Sequence, residues 1–456
     1  MLIWVRLLLV ILSSCLGIMI YPSIGIWWLV AVAWIPLILA LNGAKASHAM
    51  YMGLLHGMVF YGVTLSWLTN IFNDEKGAII PLIMILSLFT AVFSRGYAVA
   101  YKKYGNGWVL PLFAGCWWVS MELIRSEIFY LKFPWMTPGS GLGPMWLSPL
   151  VGVYGVGFMI ILASALIGQR GKQCAVGCVV MLTLLVSVVF QKKRSDPLDN
   201  GVGVMAVQSE DCYFPRYVEM TESAPDDVDL IVWPEYAILE DVRKSQKKWV
   251  ELTSLAEKRD ALIITGTSTD HEMEGWYNTA LTVSKEGALG DHYKNHTVHF
   301  FDDGIAGKKA DAITTPLGKI GTPICFDCDY EDVIRRMVAD GAEFIMAPTM
   351  DAQNWSEKQK MQHSELFRHR AAENGRWLVV AATSGLTQVI DPYGNRVKSL
   401  PVDEDGVLLS EVNFIKEKTV YTKFGWLFPW GVMILGFAWI FVIVSSGFFG
   451  TAGVDE

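Results

Sequence analysis

The chain is short of charge. Asp, Glu, Lys and Arg make up 18% of its 456 residues, against about 25% in an ordinary soluble domain. The deficit is concentrated in residues 1–190 and 421–456. Positive charge in particular is not in excess: 37 basic residues face 45 acidic ones, for a net charge of −8. That balance excludes the basic stripe of a nucleic-acid-binding protein, so no nucleic-acid partner is expected. Cysteine is sparse, at seven residues. Cys15, Cys116, Cys174 and Cys178 lie in apolar segments, where a thiol behaves as a small hydrophobe, and the remainder cannot build a disulfide framework. Internal repeats and low-complexity linkers are missing as well.

Hydrophobic residues are abundant, at 52% of the chain. A membrane-spanning helix needs about 20 mostly apolar residues. Eight candidate spans fit, at roughly 3–20, 25–41, 48–71, 78–94, 107–124, 146–168, 173–190 and 424–447. The first has the look of a signal peptide, yet it lacks a small-residue cleavage site and more spans follow at once, so it is expected to be retained. Residues 191–420 have the composition of a globular domain long enough to bury a core. The expected organisation is a seven-span membrane bundle over 1–190, an α/β domain over 191–420, and an eighth span with a short tail over 421–456.

Loop charge sets the orientation of such a bundle. Lys45 follows the second span, Arg95, Lys102 and Lys103 surround the end of the fourth, and Arg170 and Lys172 follow the sixth. The loop after the third span, with Asp74, Glu75 and Lys76, has no positive excess. Both termini are therefore expected in the cytoplasm and the 191–420 domain on the opposite, periplasm-like side. Lys192, Lys193 and Arg194 run against this, but a long domain reports the rule poorly.

Within 191–420, β-rich runs at Val202–Val207, Leu230–Trp233, Ala261–Thr265, Thr279–Val283, Ile320–Cys325, Phe344–Ala347, Trp377–Ala382 and Gln388–Ile390 alternate with helical stretches near 243–258, 331–340 and 357–374. The alternation predicts an α/β or layered α+β domain. Asp391-Pro392-Tyr393-Gly394-Asn395 reads as a turn between two strands.

Three short tracts in this domain carry chemistry: Val232-Trp233-Pro234-Glu235, His292-Tyr293-Lys294-Asn295 and Pro323-Ile324-Cys325-Phe326-Asp327. Each places a reactive group at or just after a predicted strand end. Singly, each has a plainer explanation: a surface Glu, a loop Lys, a core thiol. Together they supply what nucleophilic acyl transfer requires. A free thiol ionises near pH 8.5 and needs help to become a thiolate; Glu235 can take its proton, and Lys294 can stabilise both thiolate and oxyanion. The apolar flanks suggest a lipidic substrate. Cys325 and Cys328 also form a C-x-x-C, but no second pair accompanies it. His292, His296, His299 and His363 are not at metal-ligand spacing. In the apolar part, Glu122 and Arg125 stand at i, i+3, where they can neutralise each other on one helix face, and Phe133-Pro134-Trp135 follows as a lipid entrance or an interfacial anchor.

The ordered Glu-Lys-Cys set resembles the nitrilase superfamily, and the apolar flanks narrow the resemblance to the apolipoprotein N-acyltransferase family, over nearly the whole chain. Trp118–Trp135, Tyr277-Asn278-Thr279-Ala280, Arg370–Arg376 and Val389-Ile390-Asp391-Pro392 are further similarities. The resemblance implies a four-layer αββα sandwich joined to an eight-span helical bundle in the inner membrane, with the catalytic domain in the periplasm. It implies Glu235 as general base, Lys294 as oxyanion stabiliser and Cys325 as nucleophile, with no cofactor and no metal. It also implies a ping-pong cycle: a phospholipid acylates the thiol, and the α-amine of a diacylated apolipoprotein then takes the acyl group.

The chain departs from that family pattern in places. Where the family has Pro-Phe-Gly-Glu after the Lys, this chain has His299-Phe300-Phe301-Asp302-Asp303-Gly304, with Asp302 the nearest match to the extra carboxylate. Phe326-Asp327 replaces Tyr-Glu after the nucleophile, and Asp302, Phe326 and Asp327 are the expected substrate-binding residues. The loop Asp351–Ser356 is altered too. Competing readings are a membrane-tethered amidase that passes the acyl group to water and an inactive paralogue that binds lipoproteins.

Overall fold

The structure, a computed structural model, describes residues 1–72, 76–194, 201–225, 228–271 and 275–449. Asp74 and Glu75, used above for orientation, lie outside the described residues. The chain divides into two compact units, Met1–Phe190 with Phe424–Glu456, and Gln191–Lys423.

The first unit is helical. Among the described residues, five helices are long and apolar enough to cross a membrane: Ile3–Ile20, Ile79–Tyr104, Ser148–Ile167, Lys172–Gln191 and the Tyr421–Ser445 stretch. The other three candidate spans are helical but fall short of that measure. Segment 25–41 breaks into Trp27–Leu29, Val30–Ala33 and Ile35–Leu41, with Pro36 at the start of the last piece. Segment 48–71 is Ala46–Thr64 followed by the short Leu68–Ile71, and 107–124 is Val109–Leu123 running into a π-helical turn, Ile124–Ile128. Small residues set the closest packing. A Cβ on Gly53 would come within 2.4 Å of the Thr90 carbonyl oxygen, and one on Gly57 within 2.6 Å of Ser87 Cα. That four-residue glycine spacing lets Ala46–Thr64 and Ile79–Tyr104 meet backbone to backbone. Arg125 turns its guanidinium to the Tyr61 hydroxyl and, at 2.9 Å, to the carbonyl of Trp135. It thereby ties down the Phe133-Pro134-Trp135 loop, whose Trp135 ring packs 5.2 Å from that of Trp67.

In the second unit, the described residues form twelve strands: β1 Val202–Gln208, β2 Leu230–Val232, β3 Leu262–Asp270, β4 Trp276–Ser284, β5 Gly287–Tyr293, β6 Ile313–Thr315, β7 Gly318–Gly321, β8 Phe344–Thr349, β9 Leu378–Ala382, β10 Gln388–Ile390, β11 Arg396–Ser399 and β12 Gly406–Val412. They make two six-stranded sheets, ordered β12-β1-β2-β3-β4-β5 and β11-β10-β9-β8-β7-β6. Parallel pairs lie at the centre of each, β1-β2-β3 and β7-β8-β9, with antiparallel strands outside.

Period-two alternation sorts each central strand between two cores. From β1, Met205 and Val207 join a core with Tyr217, Leu252 and Leu255 of helices Phe214–Ser223 and Gln246–Arg259. Val204 and Ala206 enter a second core with Phe344, Met346 and Val379 of the other sheet. From β8, Ile345 and Ala347 enter a third core with Val333, Ile334 and Phe367 of helices Asp332–Asp340 and Glu357–Asn374. Strands buried on both faces read as continuous apolar runs, which is why these were visible in the sequence.

One boundary differs from expectation. The run 320–325 does not stay extended to the cysteine: β7 ends at Gly321, and Cys325–Cys328 form a 3-10 turn. Pro323 has no N–H to give a ladder, and Cys325 itself adopts φ +45°, in the left-handed region.

Candidate active site

Three chain segments bring the reactive groups in. After β2, Trp233 still donates its N–H to the Ile264 carbonyl at 2.8 Å, and Pro234 then ends the ladder before Glu235. The buried Trp233 indole anchors this exit: Nε1 donates to Thr221 Oγ1 at 3.0 Å and the ring stacks 5.5 Å from Tyr217. Lys294 directly follows β5. Its N–H donates to the Asn278 carbonyl and its carbonyl accepts from Gly307, at 2.8 and 2.7 Å. Cys325 opens the 3-10 turn after β7, where its left-handed backbone sets the sulfur off the strand line.

The base sits against bare backbone. A Cβ on Gly266, in β3, would lie 2.5 Å from Glu235 Cα and 2.5 Å from the Pro234 oxygen. Gly266→Ala is therefore expected to destabilise the protein by about 1–3 kcal/mol through overpacking and to lower activity by displacing the base. Thermal melting alongside an acyl-transfer assay checks both.

Glu235, Lys294 and Asp303 form one buried cluster. Lys294 Nζ lies 2.8 Å from Glu235 Oε1 and 2.8 Å from Asp303 Oδ2. Asn278 Nδ2 donates to Glu235 Oε1 at 2.6 Å and to Asp303 Oδ1 at 2.8 Å, and the Tyr236 hydroxyl donates to Asp303 Oδ1 at 2.5 Å. Met350 closes the site with its peptide groups: its N–H donates to Glu235 Oε2 at 2.8 Å, and its carbonyl accepts from Cys325 Sγ at 3.5 Å. The same backbone residue thus holds the thiol and the carboxylate.

The electrostatics follow from burial and one shared cation. Burial pushes Glu235 upward and the charge of Asp303 adds to this, against the pull of Lys294. Asp303 is buried too, but Lys294 outweighs burial and holds it below the usual carboxylate range. Lys294 is kept charged well above the ordinary lysine range; burial opposes this, and Glu235, Asp303 and Cys325 outweigh it. Burial and Glu235 push the Cys325 thiol well up, and Lys294 draws it down. The resting pair is thus a neutral thiol beside a carboxylate of raised proton affinity, and the proton need move only when an acyl group arrives.

The other sequence-predicted residues fall elsewhere. Asp302 is exposed, and its neighbour Asp303 takes the position beside the amine. The turn decides between them: Val298 N–H donates to Asp303 Oδ2 at 2.8 Å, and Gly304 follows at φ +74°. Asp327 is consumed by structure. Its Oδ1 accepts from the N–H groups of Asn295 and His296 at 2.9 and 2.8 Å, and its Oδ2 accepts from Ile324 N–H at 3.1 Å and lies 2.9 Å from His292 Nε2. It therefore joins the lysine loop to the cysteine turn. Phe326 packs edge-on against Tyr330 at 5.1 Å. Sequence reasoning gave no role to Asn278, Tyr236 or Met350. Asn278 stood inside a recognised tetrapeptide, whereas a backbone contribution such as that of Met350 leaves no side-chain signal.

Residues 208–419, the two-sheet α/β domain that carries Glu235, Lys294 and Cys325, match the family model described as carbon-nitrogen hydrolase. Residues 13–166 match the model described as apolipoprotein N-acyltransferase N-terminal domain. Relatives named apolipoprotein N-acyltransferase include one from Pseudomonas aeruginosa (strain LESB58), 27% identical over 87% of this chain and 88% of its own. Another, from Geobacter metallireducens, is 26% identical over 93% of this chain and 92% of its own. The chain is thus similar to apolipoprotein N-acyltransferases over most of its length and carries matches to both an N-terminal and a carbon-nitrogen hydrolase model. Among solved structures, a carbon-nitrogen hydrolase from Helicobacter pylori G27 is similar at 18% identity and TM-score 0.41, over 46% of this chain and 88% of that one.

Proposed function

We propose that this membrane enzyme moves a fatty acyl chain from a phospholipid, through a thioester on Cys325, to the α-amine of the lipidated N-terminal Cys of apolipoproteins. The observation that carries the reading is the Met350 peptide link, which holds the Cys325 thiol and the Glu235 carboxylate in one buried, lysine-bearing site. In the first half-reaction Glu235 takes the thiol proton as sulfur attacks the ester carbonyl. Lys294 offsets the charge on the carbonyl oxygen. The ester C–O bond then breaks, Glu235 returns the proton to the leaving alkoxide, and a lysophospholipid departs. In the second half-reaction the acceptor amine attacks the thioester, Glu235 takes a proton from nitrogen, the C–S bond breaks, and Glu235 returns the proton to the leaving sulfur to regenerate the thiol.

The reading extends to the setting. Eight spans, the shorter helices included, would hold the 191–420 domain on the periplasmic side of the inner membrane, with 421–456 returning through it. A four-layer αββα sandwich accounts for the three successive cores of the second unit. The test is product identity: purified protein given phospholipid and a diacylglyceryl-cysteinyl peptide should yield triacylated peptide and lysophospholipid in equal amounts. Free fatty acid with unmodified peptide would instead mean transfer to water.

Asp303 tunes the base. Its negative charge raises Glu235, so removing that charge lowers the pH at which Glu235 gives up its proton. Since the ionised carboxylate is the working form, activity rises with pH through that point. Asp303→Asn should therefore move the acid limb of kcat/KM to lower pH, while Asp302→Asn leaves it in place. A pH–rate profile of both variants checks the assignment.

A further inference from the structure

Outside the reacting groups, the described residues of the second unit bury further charged pairs, and one such assembly adjoins the site. His363, on helix Glu357–Asn374, is buried between two buried carboxylates. Its Nδ1 lies 2.9 Å from Asp351 Oδ1, and its Nε2 lies 3.1 Å from Asp329 Oδ1. The two carboxylates adjoin two parts of the site, the Cys325 turn and the Met350 peptide. Asp329 caps the turn Cys325–Cys328, and its own N–H donates to the Phe326 carbonyl at 3.2 Å. Asp351 directly follows Met350, the residue whose peptide groups hold Cys325 and Glu235.

We propose that His363 is a positioning residue for the acyl-transfer site: as one charged cross-link it fixes the nucleophile's turn and the Met350 peptide relative to each other. This rests on the reading of Cys325 as the acylated thiol. The imidazole is well placed to do it. Two buried carboxylates repel unless a cation stands between them. Burial works against charge on His363, but Asp351 and Asp329 outweigh it, and the ring is held charged well above the ordinary histidine range. The clamp is stiffened on the Asp351 side, where Gln359 Nε2 donates to Oδ1 at 2.8 Å, Thr383 Oγ1 donates to the backbone carbonyl at 3.0 Å, and the charge of Lys360 also bears on the carboxylate.

The arrangement also reaches the thiol electrostatically. The charge of Asp351 disfavours the Cys325 thiolate, and His363 compensates that charge. Without the imidazolium, Met350 is free to drift and the thiol becomes harder to ionise. Both effects act on the chemical step, and neither removes a substrate contact.

His363→Gln keeps a hydrogen-bonding group and deletes the charge; Asp329→Asn deletes one arm with little change of shape. For detergent-purified, full-length protein, kcat of His363→Gln should fall on the order of 10²-fold, the scale of an ångström-sized misplacement, with KM unchanged. The pH profile of Cys325 alkylation by iodoacetamide should move to higher pH. Asp329→Asn should show a smaller fall in kcat, again without a change in KM. Wild-type kcat together with a wild-type alkylation profile in folded His363→Gln would overturn the proposal. Should that variant not fold, a wild-type kcat in Asp329→Asn would overturn it instead. The alkylation profile needs no lipid substrate, so it separates this inference from the reading of the activity: wild-type protein that never forms an acyl-Cys325 adduct refutes that reading, whatever His363 does.

Discussion

Cys325→Ala is expected to abolish acyl transfer, with kcat falling by at least ~10⁴-fold, the scale seen when a covalent nucleophile is deleted. The reason is stoichiometric as well as kinetic. Each half-reaction forms or breaks a bond to this sulfur, and without it the donor would have to be attacked directly by the acceptor amine, with both bound at once. Cys325→Ser should be nearly as inactive, because Glu235 is a carboxylate of only raised proton affinity and a hydroxyl is a far weaker acid than a thiol. Neither change disturbs the surrounding fold greatly. The sulfur makes one weak hydrogen bond, to Met350, and the left-handed backbone of residue 325 is equally strained for Cys, Ser and Ala. Production of triacylated peptide by purified, folded variants is the measurement, and wild-type turnover in Cys325→Ala would refute the mechanism.

Lys294→Met is the second large effect, and it acts on stability as well as rate. The variant leaves Glu235 and Asp303 buried, each having lost an amine at 2.8 Å. Breaking a buried ion pair from one side costs about 3–5 kcal/mol, so a marked fall in Tm is expected. The pH dependence has a definite sign. Burial and Asp303 already raise Glu235, and loss of the cation raises it further. A carboxyl whose folded pKa exceeds its unfolded one favours the folded state at low pH and forfeits that advantage as pH rises through the folded value. The Tm deficit of Lys294→Met should therefore be greatest above the raised Glu235 value and shrink as pH falls below it toward the unfolded carboxyl value. Glu235 becomes harder to ionise without the cation, so less of the base is in its working form, and the oxyanion's cation is lost with it. Activity should drop at least ~10²-fold, comparable to removing one oxyanion donor. Differential scanning at several pH values, with activity measured alongside, would expose a Lys294 that served neither purpose as an unchanged Tm and an unchanged rate.

Glu235 and Cys325 were legible because each stands at or after a β-rich run, the clearest signal a buried strand leaves, whereas Lys294, after the glycine-bearing β5, was legible as the middle member of the ordered set. The central strands were readable from such runs too. The strands at the sheet edges, β5, β6, β11 and β12, were harder: Gly287–Tyr293 contains two glycines and Arg396–Ser399 two cations, and pairing rather than composition makes them strands. The helix Phe214–Ser223 was missed because its apolar positions are few, with Phe214, Tyr217 and Met220 buried. Asp302 is the nearest sequence match to the family's extra carboxylate, but the sequence leaves Asp302 and Asp303 open as its replacement. The choice between adjacent carboxylates is made by a turn, through the Val298 N–H and the left-handed Gly304, and composition carries no trace of it. Asp327 looked like a substrate ligand because it adjoins the nucleophile, yet three backbone N–H groups claim it. In the helical unit the apolar segments were found, but hydropathy does not foresee how Pro36 and the break after Thr64 shorten two of them.

The most direct test is the mass of the Cys325-containing peptide from protein incubated with phospholipid and no acceptor. The expected result is a gain of one fatty acyl group on Cys325, lost again when a diacylglyceryl-cysteinyl peptide is added and recovered on its amine. Full transfer activity with that peptide unmodified at every time point would contradict the mechanism.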